Sequence, residues 1–240
     1  KTDMKLYYDL HLHSCLSPCG DNDMSPYNLV NMAKLLGYDI IALTDHNSSE
    51  NCESAIKIGR EAGITVVPGM ELCTSEEIHN ICLFPDTEKA MAFSRYIKTT
   101  MPPIKNKEKI FGEQLIMDTG DGILGKEEIL LTTASAVSID ELPDIIEKYG
   151  GICYPAHINR CSYSIISALG DIPEDLSIKA FELTPDANEE EYIKKYPALS
   201  GKTLIRSSDA HYLQNMREAE FFLELEENSP EALISFFKGE

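Results

Sequence analysis

The chain has 240 residues, 43% of them hydrophobic and 25% charged, with 40 acidic against 21 basic residues and a formal net charge of -19. A chain of this length and composition can bury one full core, and its charge argues against long nucleic acids as partners, because polyanions are repelled. No apolar run approaches the ~18 residues that span a bilayer, the first residues lack a signal pattern, and the seven cysteines form no CxxC pair, so a cytoplasmic domain without a membrane or disulfide framework is expected.

The predicted elements begin with a strand over residues 6–12. Side chains alternate along a strand, which puts Asp9, His11 and His13 on one face and Leu10 and Leu12 on the other. A turn-rich loop follows, then a helix that Ser25 caps, with Pro26 in its first position and Gly37 closing it. The second strand, residues 39–44, is almost wholly apolar, as a strand buried on both faces should be, and it ends in Asp45-His46-Asn47. A helix over 50–62 stops at Gly63. The third strand, 64–72, contains Pro68-Gly69 and is expected to bulge there. It leads to a fourth strand, 79–84, and a helix over 87–98.

Residues 99–136 interrupt the pattern, and Asp118-Thr119-Gly120-Asp121-Gly122 marks a hairpin within them. This stretch reads as an insertion, a candidate lid, in an otherwise single domain spanning residues 1–240. Alternation resumes with a helix from Ser138-Ile139-Asp140-Glu141, a capping box, to Tyr149. A strand over 152–156 delivers His157. Strands over 178–183 and 203–207, with helices at 164–169 and 188–195, lead to Ser208-Asp209-Ala210-His211. An extended segment, 221–225, and a helix over 230–238 complete the chain. Near-strict alternation of seven principal strands with helices points to a parallel sheet.

All six histidines, His11, His13, His46, His79, His157 and His211, adjoin predicted strands. A lone strand histidine is usually a satisfied interior or surface residue, but six at strand ends form a candidate metal site, since neutral imidazole is a common ligand for zinc and similar ions. Glu71 and Asp209 end apolar strands, where an unpaired carboxylate would be costly. Asp9 and Asp45 fit the role of acceptors that orient neighbouring ligands. Arg160 could clamp a substrate phosphate bidentately or form a surface salt bridge. No role is assigned to Arg206.

In chain order, Asp9-Leu10-His11-Leu12-His13, Thr44-Asp45-His46-Asn47, Pro68-Gly69-Met70-Glu71, His79, Pro155-Ala156-His157 and Ser208-Asp209-Ala210-His211 resemble the motifs of the polymerase and histidinol phosphatase (PHP) superfamily, in particular its stand-alone bacterial phosphoesterases. The resemblance implies a distorted seven-stranded (β/α)7 barrel and two or three divalent ions, zinc, manganese or iron. It implies that His11, His13, Glu71 and Asp209 bind one metal, that Glu71 bridges to a second completed by His79 and His157, and that His46 and His211 hold a third. The last ligand would come from the loop after His13, where Cys19, Asp21 and Asp23 all remain candidates.

Paired metals about 3.5 to 4 Å apart can activate water and neutralise a phosphoryl group together. The expected reaction is attack of a metal-bound hydroxide on a small phosphorylated metabolite or nucleotide, with no side-chain nucleophile. A nuclease, and a non-catalytic metal-stabilised regulatory domain, are the competing readings. The sequence leaves the substrate and the oligomeric state open.

Overall fold

Residues 8–13 are buried without interruption, so the first strand, β1 (Met4–Leu12), lies between two layers rather than on a surface. The computed structural model describes residues 3–240. Helix α1 (Pro26–Leu35) starts where the Ser25 side chain accepts from the Asn28 amide, and carries the chain to β2 (Ile40–Leu43). Helix α2 (Cys52–Ala62), ended by Gly63 in the left-handed region, carries it on to β3 (Thr65–Cys73). β1, β2 and β3 are parallel neighbours.

The parallel arrangement expected holds through this first part and is then interrupted. A five-residue turn joins β3 to β4 (His79–Leu83), too short for the crossover that parallel strands require, and the two pair antiparallel. Helix α3 (Thr87–Thr100), capped by Asp86, precedes the 99–136 stretch. That stretch holds α4 (Glu108–Phe111) and a hairpin of β5 (Leu115–Met117) and β6 (Ile123–Lys126), with the Asp118 carboxylate accepting from Gly120 and Gly122. The Ser138 and Glu141 capping contacts form, yet α5 runs only Leu142–Glu147, because Pro143 suits just the first turn of a helix.

β7 (Ile152–Pro155) adds antiparallel to β4. After α6 (Ile165–Leu169) come β8 (Ala180–Leu183), α7 (Glu189–Lys195) and β9 (Thr203–Arg206), and β8 and β9 form a separate parallel pair. β10 (Phe222–Leu225) returns antiparallel along β1, and α8 (Pro230–Lys238), capped by Ser229, ends the described chain. The main sheet has the order β10-β1-β2-β3-β4-β7. The amide of Ile158 donates to the Glu182 carbonyl on one side of the separate pair, and His13 donates to the Ala210 carbonyl on the other. The fold is thus a mixed α/β architecture around a curled sheet, with antiparallel members that the sequence reading did not foresee.

Two local details position the site. The register between β1 and β2 shifts between Asp9 and Leu12. Before the shift, Leu6, Tyr8 and Leu10 join the interior cluster with Ile40, Ala42 and Val67; after it, Leu12 packs with Ile41, Leu43 and the helices. Leu10 and Leu12 therefore do not share a face, and the irregularity redirects the histidine-bearing end of the strand. No bulge occurs at Pro68-Gly69, where pairing runs in register. Gly69 serves close approach instead, since a Cβ there would lie 2.8 Å from the Cys82 carbonyl oxygen.

Candidate metal centre

β3 delivers Glu71 to the middle of the histidines. The backbone of Glu71 is held by the turn after β2: its amide donates to the Asp45 carbonyl and its carbonyl accepts from Asn47. Glu71 Oε1 lies 2.8 Å from His79 Nδ1, 3.1 Å from His157 Nε2 and 3.3 Å from His11 Nε2. Oε2 lies 3.1 Å from His46 Nδ1 and 3.2 Å from His13 Nε2. Asp209 Oδ1 approaches both His11 and His13 at 3.1 Å. The His211 ring stacks on His13 with centroids 4.0 Å apart.

Donor atoms within 4.8 Å of one another define three overlapping groups: His11, His13, Glu71 and Asp209; His46, Glu71 and His79; and His13, His46 and His211. All eight side chains that the sequence singled out on strand ends are therefore brought together, although His46 rather than His157 shares the second group. His79 and His211 are the more exposed members, at 13% and 20%, so the cluster opens on their side.

The donor set fits cations. Glu182 can only accept at His11 Nδ1, 2.9 Å away. Ser17 donates its hydroxyl to Asp45 at 2.7 Å and so must accept from His13 Nδ1 at 3.0 Å. Both rings then carry a proton on Nδ1 and aim Nε2 inward, where the two Nε2 atoms stand 3.1 Å apart. Two neutral rings so held would set lone pair against lone pair, and a positive charge between them, a proton or a metal ion, removes the conflict. His157 Nδ1 is buried with no hydrogen-bond partner among the described residues, as expected of a group meant for something other than protein.

The field points the same way. Burial disfavours a charged His11, yet the carboxylates of Asp209, Glu182 and Glu71 outweigh it and hold its pKa well above the usual value. His13 is also raised, for the same balance of burial against Asp209 and Glu71. Burial pushes Glu71 and Asp209 upward, and the imidazoles more than reverse this, leaving both well below the ordinary carboxylate range. His211 goes the other way, to about 3, through burial and the neighbouring His13.

Asp45 and Asp9 act as orienting acceptors. Asp45 takes the Ser14 amide and the hydroxyls of Ser14 and Ser17, reaching His13 through Ser17. Asp9 takes the amides of His11 and Ser208, so it grips backbone rather than imidazole. His157 and Asp209 have φ of 28° and 53°, a left-handed region uncommon outside glycine and found at functional sites. Glu182, missed in the sequence, steadies the first of them by accepting from the His157 amide at 3.0 Å while also holding His11. Its signal was present: one acid inside the buried apolar strand Ala180-Phe181-Glu182-Leu183. Glu182→Gln is expected to weaken metal affinity roughly 10- to 100-fold, measured by competition with a chelating dye, because an amide can present a donor to Nδ1. Unchanged affinity would remove Glu182 from this role.

Of the loop candidates, the Cys19 thiol is exposed and within hydrogen-bonding reach of His46. Asp21 instead accepts from the Asp23 amide in a local turn, and its own amide donates to the His211 carbonyl. Asp23 is exposed and, like Cys19 and Asp21, lies outside the three donor groups. Arg160 is 44% exposed and pairs with Asp209 Oδ2 at 2.5 Å, so its salt bridge is with the cluster itself. The 99–136 stretch packs under the loop after β1, where Leu115 donates to the Cys15 carbonyl, and against the start of α2 through Asn51. Among the described residues no helix is long and apolar enough to cross a membrane.

A profile of the PHP domain matches residues 9–114, a span containing His11, His13, His46, Glu71 and His79. An uncharacterized protein of Methanocaldococcus jannaschii is 33% identical over 93 residues, 35% of this chain and 54% of that protein. A 5'-3' exoribonuclease of Haemophilus influenzae is 37% identical over 70 residues, 29% of this chain and 24% of the enzyme. The chain thus spans about half or less of the curated relatives it matches.

Among solved structures, the lesion-specific endonuclease Q of Pyrococcus furiosus superposes with a TM-score of 0.70 at 18% identity, covering 98% of this chain and 56% of that one. A proposed metal-dependent phosphoesterase of Bifidobacterium adolescentis gives 0.58 at 16% identity, covering 85% and 87%. These likenesses concern the fold. Residues 9–114 match the PHP domain, and His11, His13, His46, Glu71 and His79 of the cluster lie within that span.

Proposed function

We propose that this chain is a metal-dependent phosphoric ester hydrolase acting on a small phosphorylated substrate. One observation carries the reading: a single buried carboxylate, Glu71, is approached within 3.3 Å by five imidazoles. No core requires that arrangement, and a cluster of cations does. In this reading His11, His13, Glu71 and Asp209 hold one ion, Glu71, His79 and His157 a second, and His46 and His211 a third with Cys19 as the loop ligand. Nitrogen and oxygen donors of this kind suit zinc, manganese or iron. We read β1 to β4 with β7, β8 and β9 as the seven staves of the expected barrel, and residues 99–136 as an insertion in its one domain.

Bound ions would supply Lewis acidity toward a phosphoryl oxygen and lower the pKa of water. The chain supplies the rest. Asp45 with Ser17, and Glu182 directly, fix which nitrogen of His13 and His11 faces inward. Arg160, half out in solvent at the edge of the cluster, has guanidinium donors to spare for a phosphate. His79 and His211 line the open side, so substrate approaches there.

The exoribonuclease segment and the endonuclease Q fold favour a second reading, hydrolysis of nucleic acid, and they weigh against the inference from the net charge of -19 that long polyanions are excluded. The test is hydrolysis with added manganese of p-nitrophenyl phosphate and of a labelled oligoribonucleotide, with His46→Ala as control. Phosphate release that His46→Ala abolishes supports the first reading. Strand shortening without monoester turnover supports the second. Neither activity, together with destabilisation on chelation, would leave a metal-stabilised regulatory domain.

A further inference from the structure

The loop that carries His157 places a second group beside the cluster. Tyr163 stacks on His79, ring centroids 4.7 Å apart and planes at 24°, yet the residue is 47% exposed. Its backbone is held in the left-handed region, φ 53°, where a bulky residue is an outlier that the surroundings must enforce. They do so: the Tyr163 carbonyl accepts from the His79 amide at 3.0 Å, and the next residue, Ser164, caps α6 and bonds the Arg160 carbonyl at 2.7 Å. The same short loop thus pins a half-exposed cation, Arg160, against Asp209 and a half-exposed aromatic ring against His79. A ring left 47% exposed at the open side of a charged cluster gains only part of what burial would give, and the strained backbone that puts it there calls for a use.

We propose that Tyr163 is a specificity-determining residue that stacks on the base of a nucleoside phosphate whose phosphate lies at the cluster. This inference rests on the reading of the cluster as a phosphoester site and adds a substrate class to it. A nucleobase offers a flat π-face, and stacking on an aromatic side chain is tolerant of which base is present. Sugar phosphates lack that face and would use Arg160 and the cluster alone.

The test compares adenosine 5'-monophosphate with ribose 5-phosphate, which share the phosphate and sugar and differ by the base. Binding to the manganese-loaded protein is followed by calorimetry and hydrolysis by phosphate release, for the native chain, Tyr163→Ala and Tyr163→Phe. The native protein is expected to bind the nucleotide about tenfold or more tightly than the sugar phosphate. Tyr163→Ala should bring that ratio close to one by weakening the nucleotide alone, and Tyr163→Phe should preserve it. A native ratio near one, binding of neither compound, or an equal loss for both in Tyr163→Ala would overturn the proposal. A base preference in binding without hydrolysis of either compound would refute the phosphoesterase reading while leaving Tyr163 as a base platform. Hydrolysis of both with equal binding would do the reverse.

Discussion

Glu71→Gln is expected to lose most of its bound metal and to hydrolyse phosphate esters at least ~1000-fold more slowly, a loss equivalent to about 4 kcal/mol of transition-state stabilisation. The size follows from position. Glu71 is 1% exposed and offers one oxygen to His11, His79 and His157 and the other to His13 and His46, so no neighbouring acid can take over both sides. Asp209 reaches only His11 and His13 through Oδ1. The variant should also be less stable than the native chain when both are stripped of metal, by about 3–5 kcal/mol, because removing one charge from a buried ionic group leaves its partners uncompensated. Metal analysis, initial rates and thermal melts of chelator-treated protein check the three parts. Native metal content in Glu71→Gln would remove this residue from the centre of the site.

Chelation of the native chain should lower its melting temperature by roughly 10 °C, and readdition of manganese should restore it. A ligand present at a thousandfold its dissociation constant stabilises the native state by about 4 kcal/mol, and in a chain of this length each kcal/mol moves the midpoint by roughly 2–4 °C. The structural basis is the concentration of strain around the site. His157, Asp209 and Asn47 all hold positive φ, and the inward Nε2 atoms of His11 and His13 face one another at 3.1 Å. Cations relieve that opposition and reward the strained backbone. An unchanged midpoint in protein shown by elemental analysis to have lost its metal would mean that the cluster is held by its protein contacts alone.

Much of the architecture could be read along the chain because its signals are local. Ser25, Asp86, Asn188 and Ser229 cap the helices that follow them, and Gly63 and Gly239 end helices in the left-handed region. Burial on both faces marked β2 as central. Strand direction was not legible in the same way. Alternation suggested parallel neighbours throughout, but β4 and β7 pair antiparallel, and the only local clue was the shortness of the turn before His79.

Chemistry divides along the same line. Which donors exist, and that each adjoins an apolar strand, is written along the chain, since imidazoles and carboxylates there have no cheap alternative to a ligand or a partner. Tertiary structure alone decided which of them meet. It turned the histidine end of β1 through a register shift, set Glu71 among five imidazoles, brought the Cys19 thiol within reach of His46, and recruited Glu182 from 171 residues away to orient His11. The physical reason is range: side-chain periodicity and capping act within a few residues, whereas a buried hydrogen bond between distant strands leaves in the sequence only an acid where an apolar residue would otherwise stand.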